Sequence, residues 1–581
     1  MAKRSEHKKV RAASPVIDAP VLALGTALAV LAFMAFAYAP SLRVPFLGDD
    51  YIFLDKTRYT SFAEVWSLHN TNFGWYRPWS RELHFWALQQ IFGPHELPFR
   101  CANLALWLIA LGLQARIVWR LSGPRAGAIA LFGTASLSMW GAPLNWISGS
   151  QDLWMLVFSA LTLLLVIEQR TAWAWLPYAA ALLSKETAAT VPLILLAHDV
   201  WLGRFDRGAV VRRLVPFVAI TLVWLVVHPT LLHRVNHPHE PAYMAEASIP
   251  AAMVAAKSAL SLVNADRALM ERDPEAERWP ATIASALALA FGTWLWCRRP
   301  PARDREVSQH ERGAVIRFGC SWWAVGMIPL FMPSVGWHAY YGSLAAMGAW
   351  VAVATALEVR PRLVPVILLV LGLLRGSAAA TRSWDWGSEW YQARAGNMLR
   401  VVREQLLAMH PTLPRHSRLF FGNIPNNIGL IAGDSPAVRV WYDDTTMRAG
   451  FYSYYRASGT SEPAGADYFF HFDSVAGLRE VFADGRPLPS GGLSDWIADH
   501  ESLAMTFVTS RDFPRAARLF TALSAASNRP EYHMYAGVCW RASGDERAAT
   551  VEFDEARALT SGTAAQVDEW AARLTAAMPL R

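Results

Sequence analysis

The chain carries a succession of apolar runs that are long enough to cross a lipid bilayer, and these constrain its fold more than any other feature. The first run, Val21 to Tyr38, approaches the roughly 20 residues that a membrane-spanning helix needs. Such runs continue as far as Leu374, and the remainder has the composition of an ordinary soluble domain. Only 17% of the residues are charged, against about 25% in soluble chains. The sequence therefore predicts a polytopic membrane protein.

The apolar runs between residues 20 and 378 predict about eleven spanning helices. We expect them to begin near Val21, Cys101, Gly127, Gln151, Ala172, Ala188, Leu214, Ala281, Ala314, Ala339 and Leu363. Arginines cluster in the loops after the second, sixth, eighth and tenth runs, and the positive-inside rule assigns such loops to the cytoplasm. The pattern therefore predicts a multi-pass protein of the cell inner (plasma) membrane. Its basic N-terminus, residues 1–19, would be cytoplasmic and its C-terminal part periplasmic, or otherwise extracytoplasmic.

The same topology places two long loops, residues 39–100 and 232–280, on the outer side. An extracytoplasmic mixed α/β domain is predicted over residues 379–510. Short strands are expected in it at Arg418–Phe421 and Ala437–Tyr442, because both are rich in residues that favour strands.

Residues 511–581 are predicted to be helical. Small and aromatic residues recur there at the spacing of a tetratricopeptide repeat, in which small residues let antiparallel helices approach closely. These are Gly537, Trp540, Gly544, Ala549, Phe553 and Ala556. The expected fold class is thus an all-α membrane protein with a C-terminal α/β plus TPR-like helical domain.

Cysteine and charge patterns argue against several other classes of protein. The four cysteines show no CxxC or paired spacing, which argues against a disulfide framework or a zinc site. The net charge of +7 comes mostly from arginines in short loops. No basic run is interleaved with exposed aromatic residues, so no nucleic-acid partner is expected.

Several short segments, taken in order, carry a family resemblance. They are Gly48-Asp49-Asp50-Tyr51, Tyr76-Arg77-Pro78-Trp79-Ser80, Ile91-Phe92-Gly93-Pro94, Asn145-Trp146-Ile147-Ser148-Gly149 and Leu182-Leu183-Ser184-Lys185-Glu186-Thr187. Together they resemble the polytopic (GT-C type) glycosyltransferases, specifically protein O-mannosyltransferase-like enzymes with tetratricopeptide repeats. The resemblance implies an inverting transfer of a sugar, such as mannose or another hexose, from a polyprenyl-phosphate donor. The acceptor would be a hydroxyl of a protein Ser/Thr or of a glycan, outside the cytoplasm.

The adjacent carboxylates Asp49 and Asp50 are the candidate catalytic residues. Carboxylates at the mouth of a membrane helix are costly to dehydrate and usually have a function. The implied reaction needs a base for the acceptor hydroxyl; we predict Asp49, with Asp50 orienting it or binding sugar or metal. The alternative is a turn in which the pair caps a helix. The pair could hold Mg²⁺ or Mn²⁺, but cationic side chains could meet the phosphate alone, so no metal ligand is assigned.

For the donor phosphate, the best candidates are Arg77 and Lys185, with Arg81 on the same predicted helix face as Arg77. Arginine can grip phosphate oxygens as a fork and lysine supplies a point charge. The alternative for Arg77 is interfacial snorkelling. The alternatives for Lys185 are a local ion pair with Glu186 and a cation at a helix end.

For the sugar or acceptor, the candidates are Asp152, Glu186, His338 and Tyr341. Asp152 lies near the start of a predicted span, where a carboxylate needs no ligand to be favourable. The aromatic residues could equally pack between helices.

A second class of function stays open: a non-catalytic transporter of lipid-linked sugar, or a membrane assembly scaffold that uses the outer repeats. A transporter is expected to carry polar residues at mid-span or paired broken helices. The ionisable residues here gather at the ends of the apolar runs instead, which favours an enzyme.

Overall fold

The computed structural model describes residues 19–69, 74–203, 206–230, 250–298, 308–331, 337–425, 435–457, 465–486, 492–560 and 564–577. The predicted cytoplasmic N-terminus, except its last residue, and the start of the second predicted outer loop lie outside these ranges.

The described residues are mostly helical. The α-helices are α1 Ala19–Tyr38, α2 Asp49–Thr57, α3 Phe62–Val65, α4 His84–Phe92, α5 Glu96–Ser122, α6 Pro124–Ala135, α7 Gly141–Asn145, α8 Ser150–Ile167, α9 Thr171–Leu182, α10 Val191–Trp201, α11 Arg207–Val227, α12 Ala251–Ser261, α13 Trp279–Cys297, α14 Gln309–Gly326, α15 Ser343–Leu357, α16 Val364–Ala379, α17 Glu389–Met409, α18 Pro436–Tyr442, α19 Leu493–Thr509, α20 Phe513–Ser527, α21 Pro530–Ala542, α22 Glu546–Leu559 and α23 Ala564–Ala577. The strands are β1 Arg418–Gly422, β2 Arg448–Phe451, β3 Asp467–Asp473 and β4 Gly477–Glu480.

Each of the eleven predicted spans coincides with a helix, but the predicted number of full spans is too high. Within the described residues, seven helices are long and apolar enough to cross a membrane. An eighth span results if α6 and the segment Ser138–Asn145, bent by 58°, are counted as one. Helices α9, α10 and α16 have 12, 11 and 16 residues, and a helix rises only about 1.5 Å per residue. The part of the chain that the structure describes is that of a polytopic membrane protein with seven to eight apolar spans and a small mixed sheet.

The chain divides into two compact units, and the first comprises the described parts of Met1–Val44 and Thr60–Ala393. Its helices pack closely through small residues, as at the contact of α14 with α15. A Cβ on Gly348 would lie 2.7 Å from the backbone nitrogen of Trp323, a distance that real Cβ atoms do not adopt. Glycine therefore lets these two helices approach backbone to backbone, as is common in membrane helix pairs.

Within this first unit, several helices end or begin at the same end of the bundle. Helix α8 begins after a 3₁₀ turn at Ile147–Gly149, and α9 runs back antiparallel to it and ends at Leu182. Helix α15 follows another 3₁₀ turn, Ala339–Gly342. The loops at these helix ends carry Lys185, Glu186, His338 and Tyr341, and Asp152 lies in the first turn of α8.

The second unit comprises Pro45–Tyr59 and the described parts of Arg394–Arg581. Its sheet has the order β2-β1-β3-β4, in which β1 is parallel to β2 and β3, and β4 is antiparallel to β3. The predicted strand at Arg418–Phe421 is confirmed as β1. The strand predicted at Ala437–Tyr442 is wrong, because this segment is helix α18. Pro436 occupies its first helical position, where its fixed φ angle favours a helix and its missing N–H is not needed.

The C-terminal part of the second unit is helical, as predicted, and helices α20 to α22 follow one another with short turns. Gly537 on α21 faces Phe553 on α22, and a Cβ on Gly537 would lie 2.6 Å from the Phe553 ring. The predicted role of the small residue, close approach of two helices with an aromatic side chain filling the gap, is confirmed at this pair. The tetratricopeptide assignment stays a prediction.

Candidate functional site

A cluster of buried charges occupies one end of the first unit, between the turn before residue 84 and the turn after α9. Three hydrogen bonds hold these turns and the start of α8 together. The backbone N–H of Trp79 donates to the Leu183 carbonyl at 3.2 Å, and the Ser80 hydroxyl donates to the Ser184 carbonyl at 2.7 Å. The Ser150 hydroxyl donates to the Ser80 carbonyl at 2.9 Å. The segments bearing Arg77, Lys185 and Asp152 are thereby fixed side by side.

Lys185 and Asp152 form a buried ion pair. The Lys185 Nζ donates to both carboxylate oxygens of Asp152, at 2.6 and 2.7 Å, and the two residues are 5% and 3% exposed. The backbone of Lys185 is extended (φ −161°, ψ 139°), so the side chains of Lys185 and Glu186 point in different directions. Lys185 therefore pairs with Asp152 and not with Glu186, the partner that the sequence analysis gave as an alternative.

Glu186 is bound by Arg77. The Arg77 Nε and one terminal nitrogen donate to the two carboxylate oxygens of Glu186, at 2.9 and 2.5 Å, in the two-pronged arrangement typical of arginine. The other terminal nitrogen donates to the Gln151 Oε1 at 2.5 Å. Gln151 is itself oriented, because its Nε2 donates to the Ser148 carbonyl at 2.9 Å.

These neighbours shift the pKa values of the cluster. Burial alone would lower the pKa of Arg77, but the charge of Glu186, its hydrogen bonds with Arg77 and the charge of Asp152 together outweigh burial and raise that pKa. Burial alone would raise the pKa of Glu186, but Arg77 outweighs it and lowers that pKa. Burial lowers the pKa of the Lys185 amine, against the opposing attraction of Asp152. Arg77 and Glu186 are therefore held in their charged forms.

Aromatic rings pack against the cationic end of Lys185. Its Nζ lies 4.7 Å from the centre of the Tyr341 ring and 5.6 Å from that of Tyr340, within cation–π range. His338 stacks on Tyr340 with ring centres 5.9 Å apart, and Trp386 packs edge-on to His338 at 4.9 Å. The predicted His338 and Tyr341 thus belong to the same cluster as the predicted cation.

His338 is oriented by a carboxylate that the sequence analysis missed. Its Nδ1 lies 2.6 Å from the Asp385 Oδ1. Asp385 also accepts hydrogen bonds from the Gly387 backbone N–H at 2.9 Å and from Arg267 at 3.0 Å. Burial alone would raise the pKa of Asp385, but its bond with His338 and the charge of Arg267 keep that pKa low. The aromatic–acidic segment Ser383-Trp384-Asp385-Trp386-Gly387, directly after the last apolar run, was the available signal.

Arg81 has structural contacts. It is 2% exposed, its Nε donates to the Glu82 carboxylate at 2.7 Å, and a terminal nitrogen donates to the Trp75 carbonyl at 2.9 Å. These bonds shape the turn that carries Arg77. That Arg81 also binds the donor phosphate stays a prediction.

Asp49 and Asp50 lie in the second unit, in the first turn of α2. Asp50 is fully buried, and its Oδ2 accepts the backbone N–H of Leu47 at 3.1 Å. This bond fixes the turn that leads into α2. It is not a helix cap, because the Leu47 N–H lies before the first residue of the helix. Asp49 is half-buried, and its predicted role as base stays a prediction.

No group of three or more His, Cys, Asp or Glu side chains within the described ranges is placed to hold a metal ion. The paired aspartates would supply two carboxylates, so any divalent ion there would need further oxygen ligands, from substrate or water.

Comparison with known proteins finds similar folds among the solved structures. No protein-family model and no curated protein matches the sequence. Among solved structures, the fold is similar to ArnT from Cupriavidus metallidurans bound to undecaprenyl phosphate, with 14% sequence identity and a TM-score of 0.39, over 76% of this chain and 86% of that one. ArnT from the same organism in the apo state gives 14% identity and a TM-score of 0.38, over 74% and 85% of the two chains.

Proposed function

We propose that this protein is a membrane glycosyltransferase that moves a sugar from a polyprenyl-phosphate donor to an acceptor hydroxyl. The observation that carries the proposal is that two cations lie beside each other at the end of the membrane helices, Lys185 buried and Arg77 with a side chain only 14% exposed. Charges are costly to bury, and cationic groups are what a departing lipid phosphate needs. A polyprenyl phosphate stays in the membrane, so its headgroup would be met at a helix end.

The hydrogen bonds of the two cations leave donors for a phosphate. Within the described residues, Arg77 uses three N–H groups on Glu186 and Gln151, out of the five that a guanidinium carries. Lys185 uses two of the three N–H groups of its ammonium on Asp152. The carboxylates hold both cations in fixed positions, which lowers the cost of organising a site when the donor binds.

The reaction would proceed by direct displacement. The acceptor oxygen bonds to the anomeric carbon as the bond from that carbon to the phosphate oxygen breaks, and the electron pair leaves on the phosphate. Arg77 and Lys185 would stabilise that developing charge. The acceptor proton passes to a carboxylate base, for which Asp49 is the candidate, and the anomeric configuration inverts.

The finer assignments complete the proposal. Asp152, Glu186, His338 and Tyr341 would line the sugar and acceptor side of the site. The sugar would be mannose or another hexose, and the acceptor a protein Ser/Thr or a glycan. A tetratricopeptide-like C-terminal segment would then suit a peptide acceptor.

Transfer activity of the purified protein tests the proposal. Wild type would be supplied with labelled polyprenyl-phosphate sugars and hydroxyl acceptors. We expect Lys185→Met and Arg77→Ala to abolish transfer. Arg120→Ala is the matched control, because Arg120 also pairs with a carboxylate, Glu168 at 2.7 Å, but is 47% exposed at the other end of α5. Transfer by Lys185→Met and Arg77→Ala at the rate of Arg120→Ala and wild type would refute the proposal. Movement of the donor between leaflets without transfer would favour a transporter.

The proposal also requires the cluster to face away from the cytoplasm. Glu275 lies in the loop before α13, on the side of the cluster, and Arg360 lies in the loop between α15 and α16 at the opposite end; both are exposed. In a cysteine-free background, Glu275→Cys should react with an impermeant maleimide from outside intact cells, and Arg360→Cys should not. The reverse pattern would contradict an extracytoplasmic reaction.

A further inference from the structure

The second unit contains a feature that the proposed reaction leaves unexplained. A short segment of the predicted first outer loop, Pro45–Tyr59, clusters with a domain that begins more than three hundred residues later in the chain. This segment contains α2, the helix that starts with Asp49 and Asp50.

A network of charges joins α2 to α18. The Asp55 Oδ2 accepts from the Arg439 Nε at 2.8 Å and from a terminal nitrogen of Arg439 at 2.7 Å. The Asp55 Oδ1 accepts from Arg58 at 2.6 Å. Arg58 also donates to the Arg439 carbonyl at 2.9 Å and to the Asp443 carboxylate at 2.8 Å.

The centre of the network is shielded from solvent, whereas the Asp443 side chain at its edge is 82% exposed. The side chains of Asp55, Arg58 and Arg439 are 14%, 7% and 16% exposed. Beside them, Tyr51 packs edge-on to Trp441 with ring centres 5.7 Å apart, and the Trp441 Nε1 donates to the Tyr51 hydroxyl at 3.0 Å. Shielded, multiply hydrogen-bonded pairs of this kind hold geometry far better than the surface pairs elsewhere on the unit.

Helix α18 is itself tied to the rest of its unit. The Ser435 hydroxyl donates to the Ala449 carbonyl on β2 at 2.7 Å, and the Tyr442 hydroxyl donates to the His410 carbonyl at 2.8 Å. The fixed chain of contacts therefore runs from the sheet through α18 to α2.

We infer that Asp55 and Arg439 are positioning residues, through which the C-terminal domain sets the place of the Asp49–Asp50 pair. The domain would thus be part of the catalytic apparatus, in addition to any role in acceptor binding. This inference rests on the proposed function, in which Asp49 acts as base. Small displacements of a catalytic group are costly, since about 1 Å can reduce a rate about a hundredfold.

The test combines hydrogen exchange with kinetics on the full-length protein in detergent. In Arg439→Ala, the amides of Phe53 to Thr57 should exchange about tenfold faster, because α2 loses its anchor. The kcat for transfer should fall about tenfold to a hundredfold with the KM for the donor unchanged. Arg439→Lys keeps the charge, so it should recover part of the exchange protection of α2 and part of kcat. Asp568→Ala is the control, because it breaks an ion pair with Arg557 on the same unit, at 2.7 Å and 65% exposed, that does not involve α2.

The outcomes separate this inference from the proposed function. Unchanged exchange in α2 of Arg439→Ala would overturn the anchoring, and faster exchange with an unchanged kcat would overturn the positioning role. If wild type transfers no sugar but α2 loses protection in Arg439→Ala and not in Asp568→Ala, the proposed function fails and the anchoring of α2 stands.

Discussion

Lys185 donates from its Nζ to both carboxylate oxygens of Asp152, at 2.6 and 2.7 Å, and both side chains are buried. The pair joins the turn after α9 to the first turn of α8. Its two members were expected from the sequence to have separate tasks, one on the phosphate and one on the sugar. Because of this contact, removing the charge of either residue leaves the charge of the other buried without a partner ion.

A double-mutant cycle should show this coupling. Lys185→Met leaves the Asp152 charge buried and uncompensated, and loss of one partner of a buried pair costs about 3–5 kcal/mol of stability. The double variant Lys185→Met with Asp152→Leu removes both charges and should recover most of that loss. Thermal unfolding in detergent measures the stabilities.

Activity should behave differently from stability in the same cycle. The double variant should remain inactive, because it lacks the cation that meets the phosphate. A stable double variant with normal transfer would show that the pair is only structural.

Replacing Arg77 by lysine should weaken donor binding while preserving the charge. Lysine cannot reproduce the fork to Glu186 together with the bond to Gln151. Loss of one charge-assisted hydrogen bond, worth about 1.5–3 kcal/mol, predicts at least about tenfold weaker binding of a polyprenyl phosphate. Binding can be measured by microscale thermophoresis, with Arg120→Lys as the control. Equal affinities of the two variants would remove Arg77 from the phosphate site.

The sequence identified most of the cluster, but not its pairing. The sequence analysis named all six as candidates, and they meet in the first unit: Arg77, Lys185, Asp152, Glu186, His338 and Tyr341. The pairing of Lys185 with Asp152 and not with Glu186 follows from the extended backbone at Lys185, which no motif reveals.

Residues distant in the chain were the ones missed. Gln151 and Asp385 reach their partners, Arg77 and His338, over separations of 74 and 47 residues. Such contacts depend on how helices pack, and single-sequence patterns carry little information about it. The same limit explains the excess of predicted spans, because apolar content alone does not show that α9 and α10 end after 12 and 11 residues.

The two adjacent aspartates should respond differently to substitution. Asp50 is buried and accepts the Leu47 N–H, so Asp50→Ala should lower stability by about 1–3 kcal/mol, because a buried N–H loses its hydrogen-bond partner. Asp49→Asn keeps the shape of the side chain and should leave stability unchanged. Transfer should be lost in Asp49→Asn, because an amide cannot accept the acceptor proton. Measured unfolding temperatures and turnover of both variants check this; full turnover in Asp49→Asn would exclude it as base.

Acid should destabilise the first unit through Glu186. Because Arg77 holds the pKa of Glu186 below its ordinary value, the folded state binds fewer protons there than the unfolded state does. This stabilisation is fully present above the unfolded pKa, about 4.3, and is lost as the pH falls through the lower folded value. At neutral pH, Glu186→Gln should therefore unfold at a clearly lower temperature than wild type. The difference between the two unfolding temperatures should shrink as the pH falls.

The control for this prediction is Glu168→Gln, at the opposite end of the helices. Glu168 pairs with Arg120 and Arg116, which lower its pKa too, but those arginines are 47% and 39% exposed. Salt screens exposed pairs strongly and buried ones weakly. In about 0.5 M NaCl, where the screening length is only a few ångströms, the effect of Glu168→Gln should vanish and that of Glu186→Gln should persist. If the difference in unfolding temperature between wild type and Glu186→Gln stays constant from neutral to acid pH, Glu186 is not the charged partner of Arg77.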